Sequence, residues 1–122
     1  MTNRSRDKGT SWETQVVRFL QEHGWVHAER RARRGIRDAG DIAGVSGVMI
    51  EAKCEKRIVL AAYLDETQVE QANANAAVGV TWIKRPRKSS PAHGYVVMTG
   101  AQFIELKRAW FRAAFIWAAS RV

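Results

Sequence analysis

The chain has 122 residues, enough for one hydrophobic core and too few for two. It carries 20 Lys+Arg against 12 Asp+Glu, a formal net charge of +8, the footprint expected of a protein with a nucleic-acid partner. One cysteine and three histidines without ligand spacing exclude an intrachain disulfide and a thiolate zinc cluster, and no uninterrupted apolar run is long enough to span a bilayer.

Residues 1–9 are basic and lack a following apolar segment, so they read as a mobile arm rather than a secretory signal. An intracellular, cytoplasmic setting fits this and the lone Cys54. Thr10-Ser11-Trp12-Glu13 then opens a helix that runs to about His23 and stops at Gly24. Trp12, Val16, Phe19 and Leu20 form its apolar stripe, with Glu13 lying beside it. Taken alone, Thr10-x-x-Glu13 has the form of a capping box, in which Glu13 bonds back to the Thr10 N–H. Trp25–Glu29 reads as a strand. The cations Arg30, Arg31, Arg33, Arg34 and Arg37 follow it in a glycine-containing segment. A cluster of arginines directly before an acidic segment suits phosphate binding, because it offsets the repulsion between acids and a polyanion.

Asp41–Val45 and Val48–Cys54 have the pattern of a hairpin around Ser46-Gly47, with glycines at 44 and 47. Side chains alternate along a strand, so Glu51 and Lys53 share one face while Ile50, Ala52 and Cys54 take the other. The hairpin brings Asp41 towards Glu51. Two facing carboxylates ionise together only with a cation between them, and Mg²⁺ suits such an oxygen-rich pair, leaving its other positions to water and phosphate oxygens. A lysine beside that cation can position an attacking water or balance developing charge. Asp38, three residues upstream, competes with Asp41 for the ligand role; Ile42 and Val45 continue Asp41 into a strand, which favours Asp41.

Beyond the hairpin lie Lys56 and Arg57, and then Ile58–Leu64, an irregular or partly extended connection. Asp65 is placed to cap a second helix from Glu66 to about Ala77, with Gln68 on one face alongside Ala72, Asn75 and Ala76. Val78–Ile83 reads as a strand. Lys84, Arg85, Arg87 and Lys88 form a basic loop punctuated by Pro86 and Pro91, and Gly94–Thr99 reads as a further strand. A last helix begins near Ala101 and continues to about Ala119. Its apolar arc, including Trp110, Phe111, Phe115 and Trp117, is wider than one core contact needs, so the helix either buries deeply in its own domain or supplies an oligomer interface.

The succession Lys8-Gly9-Thr10-x-x-Glu13, Gly40-Asp41-Ile42, Ile50-Glu51-Ala52-Lys53 and Gln68 resembles the PD-(D/E)XK nuclease superfamily. Within it, the likeness is to the small Holliday-junction resolvases of archaea and phages, and it covers roughly residues 8–99. Gly40 stands where that family has proline. The resemblance implies an α/β fold with a restriction-endonuclease-like core, a central mixed sheet of about five strands flanked by helices, and the C-terminal helix as an addition. It implies Mg²⁺, with Mn²⁺ expected to substitute, no organic cofactor, and a homodimer acting on branched or duplex DNA. Carried over, Asp41 and Glu51 are metal ligands together with Glu13, the first-helix acid; Lys53 is the catalytic lysine and Gln68 the polar residue of the next helix. Lys8 and the other cations named above, from Arg30 to Lys88, would line the DNA path. Two other readings stay open: a related nuclease for duplex ends, flaps or mismatches, and a non-catalytic basic DNA-binding module.

Overall fold

In the computed structural model, which describes residues 4–31 and 40–121, five strands form one mixed sheet in the order β1-β2-β3-β4-β5. They are β1 (Glu29–Arg30), β2 (Ile42–Ala43), β3 (Val48–Lys53), β4 (Val78–Ile83) and β5 (Tyr95–Val97). The helices are α1 (Arg4–Glu22), α2 (Leu60–Ala74) and α3 (Gly100–Ala119), and a single 3-10 turn covers Pro91–His93. The expected α/β class and five-stranded mixed sheet with a C-terminal helix are therefore present.

The β2–β3 hairpin closes through a turn in which Val48 N donates to Val45 O at 3.1 Å. Positive φ falls on Gly47 and not on Ser46, the requirement of a type II turn at its third residue. Gly44 is also at positive φ, and a Cβ there would collide with the His27 carbonyl, so the hairpin rests on the loop that follows α1. β3 and β4 run parallel, with Glu51 beside Thr81 and Lys53 beside Ile83. Parallel neighbours need a crossover, and α2 supplies it.

The two sheet faces differ in chemistry. One carries Ile50, Ala52, Val78 and Val80, which pack with Trp12, Val16, Val17 and Leu20 of α1 into the main core. Trp12 is 1% exposed, and its Nε1 donates to Trp82 O at 3.1 Å, fixing the helix to β4. Leu106 of α3 packs partly against this same core. The other face meets α2, where Thr67 Oγ1 and Thr81 Oγ1 are 2.7 Å apart and Gly79 leaves space for Thr67 and Gln71. Fully burying the apolar side chains of the α1 face contributes about 1.5–3 kcal/mol each.

Several boundaries differ from the sequence expectation. α1 begins at Arg4, so Thr10 is inside the helix, and the segment from Arg4 is helix rather than an irregular arm. Trp25 and Val26 are exposed in a turn, where Trp25 N bonds to Leu20 O, and only Glu29–Arg30 form β1. α2 starts five residues before Asp65, without a side-chain cap, and stops because Asn75 adopts the left-handed conformation, φ 52°. α3 begins as expected, with Thr99 capping Gln102 N at 3.2 Å, and none of its residues is buried. Trp110 is 61% and Phe115 69% exposed. No helix among the described residues is long and apolar enough to cross a membrane.

Candidate functional site

β2 is two residues long, which leaves the far end of β3 without a complete ladder partner. Asp41 fills that gap. Its backbone N donates to Ile50 O at 3.0 Å, and its Oδ2 accepts the Ala52 N–H at 2.9 Å. On its other side, Arg31 N donates to Asp41 O at 2.7 Å, joining β1 to the same point. The carboxylate is consequently held in place, and Asp41 is only 9% exposed.

Glu51, 6% exposed, projects from β3 towards α2. Burial, then the neighbouring Glu70 and Asp41, push its carboxyl up to about 12, far above the ordinary carboxylate range. No donor reaches its buried Oε2. The physical cause is a carboxylate removed from water and faced by two more acids, which favours either a retained proton or a cation.

Lys53 lies two positions on, facing the same way. Its Nζ is 3.1 Å from Glu66 Oε2, 3.9 Å from Glu51 Oε1 and 4.0 Å from Glu55 Oε1. It also stands 5.2 Å from the centre of the Tyr63 ring, whose hydroxyl donates to Glu55 Oε2 at 2.6 Å. Burial alone would lower the Lys53 ammonium, but the Glu66 hydrogen bond and charge, with Glu51 and Glu55, hold it above its usual value. Lys53 is thus a charged, immobilised ammonium.

α1 passes the open end of this arrangement. Glu13 does not cap the helix; Thr10 is interior, and its carbonyl accepts the Thr14 hydroxyl at 3.0 Å. Glu13 Oε2 instead accepts from Arg30 Nε at 3.0 Å, an interaction between α1 and β1. Glu13, Asp41, Glu51 and Lys53 line one cleft of about 770 Å³, and Lys8, Arg30, Arg31 and Lys56 line it with them. A second groove of about 660 Å³ shares Lys8 and Lys56 and adds Lys84.

The remaining expected site residues separate from this centre. Gln68 is exposed on α2, outside the cleft, because the helix turns Tyr63, Glu66, Thr67 and Glu70 towards the sheet instead. Arg57, Arg85, Arg87 and Lys88 are exposed and line neither groove; Arg85 sits 6.0 Å from the Tyr95 ring centre. Arg33, Arg34, Arg37 and the competing Asp38 lie outside the described residues. Sequence reading missed Glu66 and Glu70. The signal available was their i, i+4 spacing, since like charges so placed repel on an isolated helix and ask for a reason.

Comparison with protein-family models, with curated proteins and with solved structures found no match.

Proposed function

We propose that the chain is a divalent-metal-dependent DNA endonuclease of the PD-(D/E)XK type that hydrolyses phosphodiester bonds in branched DNA, with four-way junctions as the preferred substrate. The observation that carries this reading is the single cleft in which Glu13, Asp41, Glu51 and Lys53 meet beneath a rim of Lys8, Arg30, Arg31 and Lys56. An electrostatic DNA binder gains nothing from burying acids under its cations. Asp41 and Glu51 fit Mg²⁺: the donor set is all oxygen, and Glu51 Oε2 is a buried acceptor that no donor reaches. Bound there, Mg²⁺ would supply polarisation of the scissile phosphate and a more acidic water.

The protein's own groups divide the remaining work. Lys53 offers ammonium hydrogens to a water or a phosphate oxygen, and Glu66 keeps it oriented. Arg30 and Arg31, with Lys8 and Lys56, hold phosphates flanking the scissile bond and offset their repulsion from the acids. Junction selectivity then comes from backbone shape, and two nicks at fixed spacing from a homodimer through the exposed apolar face of α3.

The test is incubation with a labelled four-way junction and a matched linear duplex, with Mg²⁺ and with EDTA. Junction cleavage only with metal is expected, reduced about 10²-fold or more by Asp41→Asn and by Lys53→Ala. Equal cutting of the linear duplex would remove junction selectivity. No cutting of either DNA with Mg²⁺ or Mn²⁺ would leave a basic binding module.

A further inference from the structure

The cations of the second groove differ from those of the cleft. In the cleft, Lys53 is held by Glu66 and Arg30 by Glu13. In the groove of about 660 Å³, Lys8, Lys56 and Lys84 stand beside Asp7 and Glu55, yet none of the three pairs with an acid among the described residues. Glu55 is engaged by the Tyr63 hydroxyl instead. Ammonium groups gathered along one groove and left unneutralised suit successive phosphates of a polyanion. Topology joins this groove to the cleft. β3 and β4 run parallel and end side by side, and Lys84 N donates to Lys53 O at 2.9 Å, one position beyond β4. Lys53 lines the cleft, Lys84 lines the groove, and Cys54 and Lys56 line both. Between the cations lie Ser11, Gln15 and Pro86, which offer a hydroxyl, an amide and an apolar ring. Gln15 Nε2 donates to Ser11 Oγ at 3.3 Å, which leaves the amide oxygen to accept. A duplex would bring only its backbone to such a surface, whereas an unpaired strand also brings base faces and edges.

We propose that this groove holds an unpaired DNA strand, with its phosphates on Lys8, Lys56 and Lys84 and its bases over Ser11, Gln15 and Pro86. The proposal extends the nuclease reading and rests on it for direction: the strand that fills the groove is the one that leaves the cleft. It also gives the substrate a requirement. A branch point supplies a strand that parts from its complement, and an intact duplex does not.

Fluorescence anisotropy tests this, with a short labelled oligothymidylate titrated with the full chain in EDTA at several salt concentrations. Wild type is expected to bind it, and a blunt duplex of equal length to compete weakly. Lys84→Ala should lower the salt slope by about 0.7, the value of one phosphate on a single strand, which over one decade of salt is about fivefold in affinity. Lys88→Ala removes the same charge from the same loop, outside both grooves, and is expected to leave affinity and slope near wild type. Gln15→Ala should weaken binding with the slope unchanged, because it removes a base contact and no charge. Equal losses in Lys84→Ala and Lys88→Ala would overturn the proposal, since net charge alone would then account for binding. Wild-type binding by Lys84→Ala, or equal competition by the duplex, would also overturn it. Because the readout is strand binding, a wild type that binds through Lys84 and cuts nothing would refute the nuclease reading alone. An active enzyme whose strand binding ignores Lys84→Ala would refute the groove alone.

Discussion

Replacing Glu51 by Gln keeps the shape of the side chain and removes a charge that burial, Glu70 and Asp41 all oppose. With its carboxyl raised to about 12 from an ordinary 4.5, the folded protein retains a proton that the unfolded chain releases at neutral pH. The sign follows: where the native state binds more protons, stability falls as pH rises. One such proton changes stability by about 1.4 kcal/mol per pH unit, so roughly pH 6 to 8 spans up to about 2.7 kcal/mol. Lys53 does not contribute in this window, because its raised value affects stability only above its ordinary 10.5. Urea denaturation in EDTA at both ends of that range measures the effect. Glu51→Gln should be the more stable protein, and its advantage should widen towards alkaline pH by up to the amount above. Mg²⁺ should shrink that advantage by favouring the ionised form. Stability curves that run parallel for the two proteins would refute the assignment of the buried charge to Glu51.

Two further outcomes are expected. Neutralising Arg30, Arg31 and Lys56 together should lower the salt dependence of DNA binding by about 0.9 for each phosphate that no longer meets a cation, and an unchanged slope would show them to be merely solvated. Sedimentation at micromolar concentration should show a dimer that Phe111→Glu and Phe115→Glu convert to monomer; a monomeric wild type, with or without junction DNA, would refute the role given to α3.

The hairpin was legible because local rules agreed there: glycines at the turn, alternation along β3, and β-branched residues flanking both. Val78–Ile83 was legible in full for the same reason, as a bounded apolar run. The start of α2 was not. Its first turn, Leu60-Ala61-Ala62-Tyr63, lacks a polar N-cap, and Val59 holds the end only through the Tyr63 N–H at 3.1 Å. A helix starting at Glu66 would make Gln68 its polar site residue. With Tyr63 and Thr67 turned inward, Gln68 points to solvent, and the acids on either side of it take the sheet-facing positions. Glu13 shows a tertiary contact displacing a local one. The capping box satisfied a local rule, but an earlier helix start left the carboxylate available to Arg30 on β1.

Trp12 and Glu13 are neighbours on one helix, and adjacent helical side chains point about 100° apart. The bearing of one therefore sets the bearing of the other. Trp12 is locked by its burial and by the Trp82 carbonyl, so the sheet orients Glu13 through a residue that never enters the cleft. A redesign that repacks the interior around Trp12, even at constant volume, would also swing the acid and with it the Arg30 pairing. Core and cleft are in this respect one mechanical unit: the packing of Trp12 sets the direction from which Glu13 reaches the cleft.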